Sequence, residues 1–290
     1  NNLANTINSV TLNYTDGVTP VSETFSGLTL TSGNSQTFSF TTQYNLTASA
    51  TLRAYISAVN GIADNNQAND STTLVPLCLS LSGAYTINSA LPTGGTNFQS
   101  FTALAAALNC GGITGPITVD VVAGSGPYNN QVSFNQVSGA SVTNTITING
   151  NGNTLTYNGT GDYHTMRLNG IDYLTVNNLD IATSGTTSGF ALLLMNQSNY
   201  NNFNNCTFTV PQAATSSTTS AVAISGSTTS ATTTGNNGNY NTFTGCTMSG
   251  GYYCVTIYGN STTGGNVLGN QFINCHITEY YYYGLYNAYA

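Results

Sequence analysis

Val176-Asn177-Asn178-Leu179-Asp180-Ile181, Phe203-Asn204-Asn205-Cys206-Thr207-Phe208, Phe243-Thr244-Gly245-Cys246-Thr247-Met248 and Phe272-Ile273-Asn274-Cys275-His276-Ile277 align without gaps. Each begins and ends on an apolar residue and carries Leu or Cys fourth. The third position reads Asn178, Asn205, Gly245, Asn274. Asn and Gly exchange there as they do where a chain must take left-handed backbone angles. Two short strands meeting at a tight bend, repeated at intervals, predict the coils of a parallel β-helix, with apolar ladders inside and an amide ladder at the bends.

A second apolar column runs between these segments as Met166/Leu168, Leu192/Leu194, Val222/Ile224, Val255/Ile257 and Leu285. The longest interval, Cys206 to Cys246, contains the Ser/Thr/Gly/Asn run Ser227 to Asn239, which is expected to loop out of one coil. The β-helix is assigned to residues 113–290 and is expected to be incomplete at its C-terminus.

Upstream, Phe98 to Leu108 is the one convincing helix, its apolar residues Phe98, Phe101, Leu104, Ala105 and Leu108 falling on one face. Asn97 or Thr96 can cap its start, and Gly111-Gly112 ends it. A single amphipathic helix before a long β region is suited to covering the open end of a solenoid, so residues 79–112 are read as a junction and capping helix. Residues 1–78 alternate as short strands around Val10-Leu12-Tyr14, Phe25 to Leu30, Phe38-Phe40 and Leu52-Ala54-Ile56. Turn signals at Asp16-Gly17, Ser32-Gly33-Asn34 and Asn60-Gly61 separate them. This is the spacing of an all-β sandwich, with one strand too few. The fold class is therefore all-β: a β-sandwich followed by a parallel β-helix with one N-terminal capping helix.

Composition removes whole classes of function. The 290 residues carry 2 Lys+Arg against 9 Asp+Glu, a net charge of -7. Only 4% of residues are charged, where a soluble domain usually has ~25%. No basic stripe exists to meet nucleic acid, so no nucleic-acid partner is expected. No apolar run approaches the ~20 residues of a membrane-spanning helix, so no direct membrane insertion is expected. With 40% hydrophobic residues the chain is not a disordered one. Its surface must be made of hydroxyls and amides, which suits an extracellular fibre.

Leu81 to Ile87, Phe98 to Leu108, Cys110-Gly111-Gly112-Ile113-Thr114-Gly115-Pro116-Ile117-Thr118-Val119 and Ile146-Thr147-Ile148-Asn149-Gly150 resemble the opening of right-handed parallel β-helix proteins of the Bacteroidota cell surface. Asp64-Asn65-Asn66-Gln67-Ala68-Asn69-Asp70 resembles the tail of the immunoglobulin-like, CARDB-like stalk modules of bacterial surface proteins. The resemblance implies export by the type IX secretion pathway, an extracellular cell-surface location, and an adhesive or structural role with glycans or neighbouring subunits as partners. It also marks Ser71, in Asp70-Ser71-Thr72, as a glycosylation candidate.

Parallel β-helices also host polysaccharide lyases and hydrolases, which need carboxylates clustered on neighbouring coils. One predicted outward column reads Asp180, Thr207, Thr247, His276, and the other Arg167, Leu193, Ala223, Thr256, Tyr286. From residue 181 to 290 the only charged side chain is Glu279. The catalytic candidates are thus confined to Asp162, His164, Asp172 and Asp180, near Arg167. A bland ion pair at a coil edge is the alternative. No cofactor is expected, although Asp64, Asn66 and Asp70 offer loop oxygens to Ca²⁺.

Cys206, Cys246 and Cys275 share a column with Leu179 and read as buried apolar filler. Cys78 and Cys110 flank the junction and are the disulfide candidates. Nine of the 19 tyrosines lie between Tyr252 and Tyr289. Tyr280, Tyr281, Tyr282, Tyr283 and Tyr286 are the binding candidates, half of the run facing outward if it lies on a strand. Three readings remain open: a structural or adhesive component of a surface fibre, a carbohydrate-active enzyme, and a subunit of a self-assembling filament.

Overall fold

The computed structural model describes residues 5–18, 20–46, 49–65, 72, 74–158, 161–260 and 267–290. Ser71, Asn66, Asn69 and Asp70 fall outside these. The chain divides into two compact units, Asn1–Leu79 and Ser80–Ala290.

In the first unit, Ile7–Thr15 pairs antiparallel with Val21–Leu30 on one side and with Ala50–Val59 on the other. Ile62–Ala63 and Val75–Leu77 both add to Ala50–Val59. Among the described residues this is one five-stranded sheet with no second sheet facing it. The expected strand at Phe38-Phe40 is not formed. Those rings instead pack on the sheet, Phe38 against Phe25 at 4.8 Å and Phe40 against Tyr14 at 4.9 Å. Aromatic packing, with the Thr41 N–H on Glu23 Oε2 (2.8 Å) and the Tyr14 hydroxyl on Thr42 O (2.9 Å), thus holds a segment that joins no strand ladder.

The second unit is a β-solenoid of about 7 turns. Its coils after the cap are Ile113–Val121, Tyr128–Asn129, Val132–Asn135; then Ile146–Asn149, Thr154–Tyr157, His164–Asn169; then Leu174–Asn177, Asp180–Thr183, Gly189–Met195. They continue as Asn202–Asn204, Thr207–Thr209, Thr219–Ile224; Thr242–Thr244, Thr247–Ser249, Tyr253–Tyr258; and Gln271–Ile273, His276–Thr278, Tyr283–Ala288. The first, second and third strands of each coil build three parallel sheets, here the first, second and third faces.

Register explains why. Val176, Phe203, Phe243 and Phe272 pair in line. Their rings stack, Phe203 to Phe243 at 5.0 Å and Phe243 to Phe272 at 4.8 Å. Leu155, Ile181, Phe208, Met248 and Ile277 do the same on the second face. Met166, Leu192, Val222, Val255 and Leu285 form the ladder of the third. Each coil presents only a narrow apolar face, and stacking joins these faces into one core.

The helix runs Phe101–Gly111, three residues later than its pattern suggested. Asn97–Phe98 is drawn into pairing with Leu81–Ile87, and the Asn97 amide donates to the carbonyls of Leu91 and Pro92. The cap is Ser100, whose Oγ accepts the Ala103 N–H at 3.2 Å. Phe101, Leu104, Ala105 and Leu108 are buried and share one core with Ile87, Ile113, Val132 and Phe134 of the first coils.

Two further expectations are corrected. Leu193, Ala223 and Thr256 do occupy one outward register column, but they are fully buried rather than open to solvent. The Ser227 to Asn239 segment folds back over the third face and seats Ala231 against Phe190, Leu193 and Ala223. It is held by the Tyr163 N–H on Thr228 O (3.1 Å) and by the Asn237 amide on Tyr258 O (2.7 Å). Apolar outward residues on the third face thus gain a cover from an insertion in their own chain. In addition, Tyr280 to Tyr282 lie in the connection before Tyr283–Ala288 and not on a strand, so strand alternation does not govern them.

Candidate functional site: tyrosine and amide ladders of the solenoid

Asn178, Asn205, Gly245 and Asn274 all have left-handed angles, with φ of 49°, 51°, 62° and 52°. Each turns the chain from the first face to the second. Inside the bend Cys206, Cys246 and Cys275 follow Leu179, and their thiols lie 3.3 to 3.4 Å from the carbonyls of Val176, Phe203 and Phe243. Cys206 and Cys246 are buried and Cys275 half-buried. Contact with Cys206 and burial both hold the Cys246 thiol far above its ordinary range. Burial pushes Cys254 up to about 12. Such thiols are poor nucleophiles. Cys78 and Cys110 are joined in a disulfide.

A second left-handed column lies at the corner leading onto the first face. Tyr173, Tyr200 and Tyr240 have φ of 58°, 56° and 56°, and Gly269 takes the place in the next coil with φ of 68°. Their rings stack face to face, Tyr173 to Tyr200 at 5.4 Å and 6°, Tyr200 to Tyr240 at 5.2 Å and 9°. A Cβ on Gly269 would run into the Tyr240 ring, so the last ring lies over a residue without a side chain.

Asparagines hold this corner from both sides. On one, Asp172 Oδ1 accepts the Asn199 N–H (2.7 Å), Asn199 Oδ1 that of Asn239 (2.8 Å), and Asn239 Oδ1 that of Leu268 (2.7 Å). On the other, Asn201 Oδ1 accepts the Leu174 N–H, Asn241 Oδ1 that of Asn201, and Asn270 Oδ1 that of Asn241, each at 3.0 Å. A shallow groove of about 280 Å³ runs beside the rings, lined by Val142, Thr145, Tyr173, Thr175, Tyr200, Asn202 and Tyr240. None of these side chains is charged. Nothing in the composition flagged this site. Its signal was the spacing, because Tyr173, Tyr200, Tyr240 and Gly269 repeat at the same intervals as the bend column Asn178, Asn205, Gly245 and Asn274.

The other outward columns are mostly neutral, with a carboxylate only in their early coils. Along the first face Thr118, Thr147, Thr175, Asn202, Thr242 and Gln271 stand in register. Beside them the amides of Asn149, Asn177 and Asn204 donate in turn to Asp120, Asn149 and Asn177 at 2.7 to 2.9 Å. On the second face Asp180 is followed by Thr207, Thr247 and His276.

The four catalytic candidates are distributed over different faces. Asp162 pairs with Arg167 at 3.3 Å. His164 lies in the third-face strand, fully buried, with Nε2 3.0 Å from Ser133 Oγ. Burial, assisted by the Arg167 charge and opposed by Asp162, lowers its pKa to about 4. Asp172 belongs to the corner ladder, where burial raises its pKa and the Asn199 N–H opposes the rise. Asp180 sits on the second face. Asp162, Arg167 and His164 are neighbours, whereas Asp172 and Asp180 are not brought to them. Among the described residues no three His, Cys, Asp or Glu side chains are grouped to hold a metal. Asp64 is described; its companions Asn66 and Asp70 are not.

The terminal tyrosines form a second aromatic cluster. Tyr282 stacks on Tyr252 at 5.1 Å, Tyr283 on Tyr253 at 6.1 Å and Tyr286 on Tyr258 at 6.2 Å. Tyr280, Tyr281, Tyr282 and Tyr283 remain exposed, Tyr281 most at 59%. Stacking on the adjacent coil and outward exposure therefore coexist in this run. Compared with protein-family models, curated proteins and solved structures, the chain has no match.

Proposed function

We propose that this chain is a non-enzymatic extracellular surface protein, a structural or adhesive part of a cell-surface fibre. An Ig-like module would precede a right-handed parallel β-helix, as in the Bacteroidota proteins that the sequence resembles. One observation carries the reading. Beyond Asp120 and Asp180 the first- and second-face outward columns are mostly hydroxyls and amides, with one histidine, and the amides are tied coil to coil, while Asp162, Asp172 and Asp180, the acids that hydrolysis or elimination would need together, sit on different faces. Amide ladders stiffen the solenoid along its length, and the remaining hydroxyls offer many weak hydrogen bonds to glycans or neighbouring chains. Protease treatment and antibody labelling of intact producing cells test the location. The reading requires surface label that protease removes, and label appearing only after lysis contradicts it.

A second reading, assembly into a filament, draws on the first unit. Val21–Leu30 is ten residues long and lies at the edge of its sheet. An exposed edge strand of that length is a template for strand addition by another chain. Light scattering of the purified chain over a range of concentrations separates the two, since a filament subunit grows into large species and a monomeric module does not.

A further inference from the structure

Tyrosine is a costly choice at a left-handed corner. The conformation disfavours a side chain by roughly 1–2 kcal/mol per residue, and only Gly adopts it freely. The same corner holds Gly269 one coil further on, so the fold itself admits glycine there. Strain retained at three successive coils marks a position kept for what its side chain does. Stacking offsets part of the cost, because aromatic pairs contribute ~0.5–1.5 kcal/mol beyond their burial.

Because the rings cover one another's faces, what they turn to solvent is edges and phenol hydroxyls. Tyr200 is 44% and Tyr240 48% exposed. With Tyr173 they form a row of rings whose centroids are 5.2 to 5.4 Å apart, with Thr175 and Asn202 alongside. In the coil before Tyr173 the column continues as Thr145, not as a ring. Tyr173 therefore ends the stack next to Val142, which is 75% exposed. Ring edges in a row with neutral polar side chains beside them offer a sugar both apolar and hydrogen-bonding contact.

We propose that this groove is a binding subsite for a neutral, extended β-1,4-linked polysaccharide lying along the solenoid axis. The pyranoses step along the edges of Tyr173, Tyr200 and Tyr240, one sugar per coil, with Thr145, Thr175 and Asn202 beside them. A pyranose with its glycosidic oxygen spans nearly one coil step, so register is kept over several residues. An extended peptide repeats its same-side groups every ~6.6–6.8 Å and loses register within two coils. The uncharged lining selects against polyuronates. Asp172, next to Tyr173 in sequence, is engaged with the Asn199 N–H. The inference rests on the surface-component reading and adds a ligand class to it.

The test is a calorimetric titration of the full chain with cellohexaose, with hexagalacturonate and an Asn/Thr-rich peptide as competing probes. Saturable binding of cellohexaose alone is expected. Tyr173→Ala should weaken it at least tenfold and Tyr200→Phe, which keeps the stack, about fivefold for one lost hydrogen bond. Val18→Ala, at a residue 85% exposed in the first unit, should leave it unchanged. An unaltered unfolding midpoint for Tyr200→Phe separates lost contact from lost fold. Absence of cellohexaose binding, equal binding by Tyr173→Ala and Tyr200→Phe, or preference for the acidic sugar or the peptide overturns the groove assignment and leaves the surface reading standing. Cleavage of the hexasaccharide overturns the surface reading itself.

Discussion

Asn241 Oδ1 accepts both nitrogens of Asn201, the main-chain N–H and the side-chain Nδ2, each at 3.0 Å. Both side chains are fully buried. The Asn241 amide in turn donates to Ser198 O and Asn270 Oδ1. Asn241→Ala strands several of these groups away from water at once, and each buried group left unpaired costs about 1–3 kcal/mol. Urea unfolding should show a loss of at least 3 kcal/mol in stability, through a lower midpoint at constant slope. The exposed Asn287→Ala should stay within about 0.5 kcal/mol of the parent.

The bend column makes a narrower prediction. Asn178 has φ of 49°, an angle that glycine adopts freely and a β-branched residue does not. Asn178→Gly should alter stability by less than about 1 kcal/mol, as the natural Gly245 suggests, whereas Asn178→Val should lose about 2 kcal/mol or more. Thermal denaturation of the pair checks this, and equal effects would mean that the bend can relax.

Much of this architecture was legible in the order of residues, for physical reasons that differ from place to place. Val176, Phe203, Phe243 and Phe272 recur because a solenoid interior repeats its shape each coil, and Asn178, Asn205, Gly245 and Asn274 recur because few residue types tolerate the bend. The Tyr173, Tyr200, Tyr240 corner has the same spacing, yet tyrosine is not a residue one assigns to left-handed backbone, and the Asn ladders that impose it are visible only in three dimensions. The Tyr280 to Tyr283 run drew attention by density alone. Leu193 and Ala223 were in the expected column, but local pattern does not reveal that the insertion around Ala231 folds back to cover them. In the first unit Phe38 and Phe40 alternate like strand residues, and ring packing on Phe25 and Tyr14 satisfies that alternation without a strand.

His164 should make stability depend on pH. Burial lowers its folded pKa to about 4, below the ~6.5 of an unfolded histidine. Between these values the unfolded chain binds the proton and the folded chain does not, so stability falls as pH drops from 6.5 towards 4. The full contribution is present above pH 6.5 and amounts to about 3 kcal/mol at most. In His164→Leu, denaturation midpoints measured from pH 7 to 4 should lose that slope. An identical slope in both proteins would assign the acid sensitivity elsewhere.

Reducing the Cys78–Cys110 disulfide releases the loop containing the capping helix and should remove on the order of 3 to 4 kcal/mol by chain entropy. The remaining thiols should behave differently. Cys254, pushed up to about 12, and the buried Cys206 and Cys246 should resist a thiol reagent at pH 8 in the folded chain. These three and Cys275 should all react once the chain is unfolded. Fast labelling of Cys206 in the native protein would show that the bend opens.

The most direct test of a structural rather than catalytic solenoid is prolonged incubation of the full chain with neutral and acidic polysaccharides, reading released reducing ends and unsaturated uronate. The neutral ladders and the dispersal of Asp162, His164, Asp172 and Asp180 predict no product above the protein-free control. Cleavage that disappears in Asp162→Asn or Asp180→Asn would contradict the account.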